Sequence, residues 1–237
     1  MAASRVERIR VTESRVPELA SNILSSAIEE SLRERGRVTL ALAGGTTPRA
    51  TYERLAQVPG IPWSDVHVYF GDERAVPPDH PDSNYRLARE ALLDRVAIPP
   101  ENVHRMRAED PDKSGAAAAY EQELPEALDV LILGVGEDGH TASLFPGSPA
   151  LREQERRVLP VTGPKPPFER LTLTPRVMEA ARSTLVLAVG AGKADAVFRA
   201  LEGPLDVDRC PAQLVRNAIW LTDHAAGAKL TGAWQRS

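Results

Sequence analysis

Short aliphatic runs alternate with helix-like stretches along almost the whole chain, and this alternation constrains the fold more than any other feature. Val38–Ala43, Val66–Phe70, Asp129–Leu133 and Thr184–Val189 are rich in Val, Leu and Ile but lack a strict two-residue hydrophobic period. Runs of that kind suit strands buried on both faces, as in a parallel sheet covered by helices. Between them, helices are predicted over Ala20–Arg35, from Pro48 through Ala56, over Asn84–Leu93, over Lys113–Leu124, from Pro175 to Ala181, and after Gly190-Ala191-Gly192 through Leu201. Pro48 suits a first helical position, and Gly36 stops the first helix. Shorter strands are predicted over Val103–Met106, Arg157–Thr162, Leu171–Thr174 and Ile219–Thr222. The expected fold class is α/β: three layers, with a mostly parallel, doubly wound sheet and helices on both faces.

The chain has 237 residues, enough for one large domain or two small ones. It shows no internal repeat and no low-complexity tract. The proline-rich Gly163–Pro167 segment is too short to separate two domains, so a single domain over 1–237 is expected. A net charge of -4 removes any global electrostatic case for nucleic-acid or membrane partners. Cys210 is the only cysteine, which excludes an internal disulfide and CxxC motifs. The first ten residues lack the apolar run of a signal peptide, and no later run is long enough to span a bilayer, so a cytoplasmic protein is expected. Oligomeric state is not encoded in any pattern of this kind.

Ligands of open parallel sheets sit outside the carboxyl ends of the strands. Four predicted strands end in glycine followed by polar or charged groups. Gly44-Gly45-Thr46-Thr47-Pro48 has the form of an anion cradle, in which backbone N–H groups, two hydroxyls and a helix start converge. A plain strand-to-helix turn with a threonine cap fits the same residues. Lys193, in the turn after Gly190 and Gly192, stands where the helix dipole disfavours a cation, unless an anion lies between them. A surface lysine is the alternative. Asp72, Glu73 and Arg74 offer a second base and a cation, or a solvated charge run. Ser83-Asn84 reads as a helix cap, with Asn84 also open to a ligand. Arg170 either reaches the same cleft or lies on the surface.

Gly134-x-Gly136-x-Asp138-Gly139-His140 is the most specific stretch. Its glycines match the GxGxxG spacing, but His140 and Pro146 are poor continuations for the long helix a dinucleotide site requires, so nucleotide binding is not expected. An Asp and a His two residues apart can converge on one small molecule. His140 can then take and return a proton, with Asp138 fixing its tautomer.

At these residues the chain resembles the 6-phosphogluconolactonases, from about Val6 to the last strand. The carrying segments are Ala43–Pro48, Phe70–Arg74, Ser83–Tyr85, Gly134–Pro146, Arg170–Thr174 and Gly190–Lys193. The resemblance implies a modified Rossmann-like sheet, hydrolysis of 6-phosphoglucono-δ-lactone to 6-phosphogluconate in the oxidative pentose phosphate pathway, and no metal or nucleotide cofactor. It places the base on His140, and the phosphate on the first glycine loop with Arg74 and Lys193. The expected site is therefore His140 and Asp138 for catalysis, with Gly44, Gly45, Thr46, Thr47, Asp72, Arg74, Asn84, Arg170 and Lys193 for the sugar-phosphate lactone. Glucosamine-6-phosphate deaminases resemble the chain at Asp72 and at Asp138-Gly139-His140, but carry a glutamate where this chain has Phe145. A non-catalytic sugar-phosphate-binding protein would use the same cleft. Such regulators usually add a helical DNA-binding module, for which this chain has no spare segment.

Overall fold

A computed structural model of the chain describes residues 7–232 and 235–236. In chain order the elements are β1 (Arg8–Val11), α1 (Val16–Arg35), β2 (Val38–Leu42), α2 (Thr46–Leu55), β3 (Val66–Phe70) and β4 (Asp72–Arg74). They continue with α3 (Asn84–Ala91), α4 (Lys113–Glu123), β5 (Val130–Gly134), β6 (Val158–Thr162), β7 (Glu169–Leu173) and α5 (Pro175–Ala180). The last are β8 (Ser183–Ala188), α6 (Ala194–Leu201), β9 (Ile219–Asp223) and β10 (Gln235–Arg236).

Seven strands form the central sheet in the order β10-β1-β9-β8-β5-β2-β3, and every neighbouring pair in it is parallel. The aliphatic runs occupy its middle: all five residues of β2 are buried, as are the first four of β5. From β2 the chain steps outward to β3 on one side, then returns to build β5, β8 and β9 on the other. The order therefore reverses between β2 and β5, and a crevice opens outside their carboxyl ends at such a reversal.

Two buried tyrosines fix the strand ends that face this crevice. The Tyr52 hydroxyl of α2 accepts the Ala43 N–H and donates to the Ala43 carbonyl, both at 2.8 Å. The Tyr120 hydroxyl of α4 accepts the Phe70 N–H at 2.8 Å. Each satisfies backbone groups where a strand gives way to a loop and the ladder no longer can.

The fold class is as expected, and four details differ. First, β1 and β10 were not foreseen: the alternating half-buried pattern of β1 puts Arg8 and Arg10 outward, so the short run reads as polar, and β10 is only two residues long. Second, α1 begins at Val16 rather than Ala20, with Pro17 in its first turn. Third, Val103–Met106 is not a strand; β3 is the sheet edge, and the segment contributes only a bridge from Val103 to Val68. Fourth, the predicted strands near 157–162 and 171–174 do not join the main sheet. They pair with Asp72–Arg74 in a separate antiparallel sheet, ordered β4-β7-β6. Aliphatic content marks a strand but not the sheet it joins.

Candidate active site

A cavity of about 300 Å³ lies at the carboxyl ends of β2, β3, β5 and β8. Gly44, Gly45, Thr46, Thr47, Asp72, Arg74, His140, Arg170 and Lys193 all line it. Asp138 and Asn84 do not; they hold lining residues from behind. No other expected site residue lies away from the cavity.

Thr46 and Thr47 open α2, whose capping position is Gly45, at φ 112°. No side chain caps this helix start, so its first N–H groups lack the partner a capping residue supplies, next to the cavity. Lys193 lies directly before α6, which also lacks a side-chain cap. Its ammonium makes no ion pair among the described residues. Arg74 comes from β4: one guanidinium nitrogen donates to the Asp82 carbonyl at 2.8 Å, and its buried Nε has no partner among the described residues. Three cations thus surround the space with Asp72 as the acid lining it, an arrangement suited to an anionic ligand.

The charged triplet divides by strand geometry. Successive side chains of β4 point to opposite faces, so Asp72 and Arg74 meet the cavity and Glu73 turns away. Glu73 is buried and accepts the N–H groups of Arg74, Asn84 and Tyr85 at 2.7, 2.8 and 2.8 Å, and the Ser83 hydroxyl at 3.0 Å. Burial raises its pKa, against the pull of those hydrogen bonds. Glu73 anchors the start of α3 and is not open as a base. Ser83 caps α3, accepting from the Arg86 N–H at 3.1 Å. Asn84 donates to the Asp72 backbone carbonyl at 2.8 Å and to its carboxylate at 3.0 Å. The other Asp72 carboxylate oxygen accepts from the Ser143 hydroxyl at 2.5 Å. Asp72 is therefore held rigidly at the cavity wall, with only 6% of its surface exposed.

His140 and Asp138 form a close pair. Nδ1 of His140 lies 2.6 Å from Oδ1 of Asp138, and the same oxygen accepts the His140 backbone N–H at 3.0 Å. Partial burial would push the Asp138 carboxyl up, but these hydrogen bonds prevail and hold it at about 2. In a neutral His140 ring, an Nδ1–H donated to the ionised Asp138 places the free lone pair on Nε2. Gly136 permits the pair: a Cβ there would fall 2.1 Å from His140 Nδ1 and 2.6 Å from Asp138 Oδ1. The Phe145 ring packs beside His140, with centroids 4.8 Å apart. Sequence reasoning missed Ala142, which lines the cavity at φ 46°, and the buried Ser143. Both lie inside the Gly134–Pro146 motif, but neither side chain carries a chemical signal of its own. Among the described residues, no group of three or more His, Cys, Asp or Glu side chains is placed to hold a metal ion.

A family model described as "Glucosamine-6-phosphate isomerases/6-phosphogluconolactonase" matches residues 12–222, which span every cavity element described above. The chain belongs to this family. Among its relatives, the 6-phosphogluconolactonase of Mycobacterium tuberculosis is 42% identical over 228 residues, covering 89% of this chain and 92% of the relative. That of Nostoc sp. is 39% identical over 223 residues, covering 89% and 92%. The structure of the Trypanosoma brucei 6-phosphogluconolactonase superposes with a TM-score of 0.86 at 30% identity, covering 97% of this chain and all of that one. A monomeric glucosamine-6-phosphate deaminase superposes with a TM-score of 0.81 at 23% identity, a likeness of fold alone.

Proposed function

We propose that this protein is a 6-phosphogluconolactonase, hydrolysing 6-phospho-D-glucono-1,5-lactone to 6-phospho-D-gluconate. The observation that carries the reading is the Asp138–His140 pair at 2.6 Å, set at the edge of a cavity that also holds an uncapped helix start and Lys193. A base and an anion anchor in one cavity are what a phosphorylated lactone requires.

In this mechanism the phosphate sits against the Gly44–Thr47 helix start, with Lys193 and Arg74 supplying positive charge. Its binding energy places the ring over His140. Nε2 of His140 removes a proton from water, which attacks the C1 carbonyl. Charge develops on the carbonyl oxygen and is met by backbone N–H groups of a glycine loop or by Arg74. The imidazolium is stabilised by ionised Asp138. It then protonates the departing ring oxygen, which opens the lactone and restores neutral His140.

Phe145 favours hydrolysis over deamination. It occupies the position that carries a glutamate in the related deaminases, and it presents no proton-transfer group beside His140. A lactone carbonyl is already electrophilic and needs no third residue to open a sugar ring. The test is acid release on adding freshly made lactone, run beside ammonia release from glucosamine 6-phosphate. Acid above the spontaneous rate without ammonia is expected; ammonia without acid would overturn the proposal.

A further inference from the structure

Phe145 is buried, with 8% of its surface exposed, and takes no part in the proton transfers proposed above. The β6–β7 hairpin, distant in sequence, nevertheless fixes its ring. Phe145 follows β5; Gly163 follows β6; Arg170 lies in β7. The Arg170 guanidinium carbon stands 5.4 Å from the Phe145 ring centroid. That guanidinium is itself tied down, with Nε donating to the Pro167 carbonyl at 3.0 Å and Nη2 to the Lys165 carbonyl at 3.3 Å. Gly163 closes the remaining side. A Cβ at this position would lie 2.9 Å from Arg170 Nε and 3.2 Å from both Cε2 and Cζ of Phe145. On its other flank the ring meets His140, at 4.8 Å between centroids and 51° between planes.

We infer that Phe145 is a positioning residue for His140, seated by Gly163 and Arg170. The inference rests on the reading of His140 as the base. The physical reason lies in the histidine side chain. Its χ2 torsion joins sp³ to sp² carbon and has broad minima. One hydrogen bond from Nδ1 to Asp138 fixes the tautomer but lets the ring pivot about that bond. A clamped aromatic ring removes the pivot and keeps Nε2 directed at one point in the cavity. The β6–β7 hairpin thereby acts on the chemistry through Phe145. Arg170 takes part both as a cavity wall and as the cover of the ring.

Two variants test this without altering the Asp138–His140 hydrogen bond. Phe145→Leu keeps an apolar side chain but removes the flat face. Gly163→Ala pushes a methyl group toward Phe145 and Arg170, and Gly163 does not line the cavity. Misplacement of a base on this scale lowers turnover by about 10- to 100-fold. Each variant is expected to show that loss in kcat, with KM changed by less than about threefold. The double variant should lose little beyond Phe145→Leu alone, because the methyl acts on the ring and on the Arg170 guanidinium that covers it. In the substrate-free protein, the NMR spectrum of the His140 ring should show the same tautomer in both proteins, with a fixed ring in the wild type and line broadening from a pivoting ring in Phe145→Leu.

Wild-type kcat in both variants would overturn the inference. So would losses that multiply in the double variant, or an unchanged His140 spectrum beside a reduced kcat. The spectrum needs no substrate. If the wild type failed to hydrolyse the lactone, the proposed reaction would fall, and the spectrum would still decide whether Phe145 orders His140.

Discussion

Oδ1 of Asp138 accepts both the ring Nδ1–H and the backbone N–H of His140, at 2.6 and 3.0 Å. One carboxylate oxygen thus fixes the side chain and the main chain of the same residue. Asp138→Asn presents an amide in its place, which can donate to Nδ1 and stabilise the wrong tautomer. The expected result is a fall in kcat on the order of 10²-fold or more with KM little changed, measured in steady-state assays corrected for spontaneous hydrolysis. An unchanged kcat would remove Asp138 from the mechanism.

The same pair makes a prediction about acid stability. The carboxyl of Asp138 is held at about 2 in the folded protein, below its ordinary value of 3.8. A depressed carboxylate pKa contributes stability that is fully present above the unfolded value and is lost as pH falls through the folded one. The stability difference between wild type and Asp138→Asn should therefore be constant above about pH 5 and shrink between about pH 4 and pH 2. Urea unfolding at a series of pH values reads this directly. A difference that grows on acidification would contradict the assignment.

Lys193 should act on binding more than on chemistry. Lys193→Ala is expected to raise KM for the phosphorylated lactone by about tenfold or more while lowering kcat less. Hydrolysis of the unphosphorylated lactone should hardly change. An equal loss on both substrates would place Lys193 at the reacting carbonyl instead.

Glu73 and Asp72 are neighbours with different work. Glu73→Ala leaves the Asn84 and Tyr85 N–H groups and the Ser83 hydroxyl without their acceptor at the start of α3, and the Arg74 N–H without one in β4. Each buried group left unsatisfied costs about 1–3 kcal/mol. The urea midpoint should fall clearly, and any loss of activity should follow the loss of folded protein. Activity lost at full folding would mean that Glu73 acts in the site.

Much of this was legible in the sequence because the signals are local. The aliphatic runs of β2 and β5 marked the sheet centre. The glycine-ended loops marked the cavity, since a backbone that must turn and approach a ligand shows itself in residue type. Asp138 and His140 were legible because two residues in one turn must be close. What lay hidden was non-local. The role of Glu73 depends on β4 being a strand, which three charged residues do not advertise. Asn84 was read as a cap or a ligand contact, and it instead braces Asp72 across 12 residues of chain. Ser143 reaches Asp72 across 71 residues, and no local pattern encodes that pairing. The clamp on Phe145 joins the segment after β5 to the β6–β7 hairpin, and the two meet only once the small antiparallel sheet has formed.

His140 is the proposed base of lactone hydrolysis. The most direct measurement is turnover of fresh 6-phosphogluconolactone by His140→Gln, compared with wild type at matched folded concentration. General-base catalysis contributes about 10²- to 10⁴-fold. A base in this role requires a kcat lowered by that factor, with KM nearly unchanged because Lys193 and the Gly44–Thr47 helix start are untouched. Turnover near the wild-type rate would contradict it.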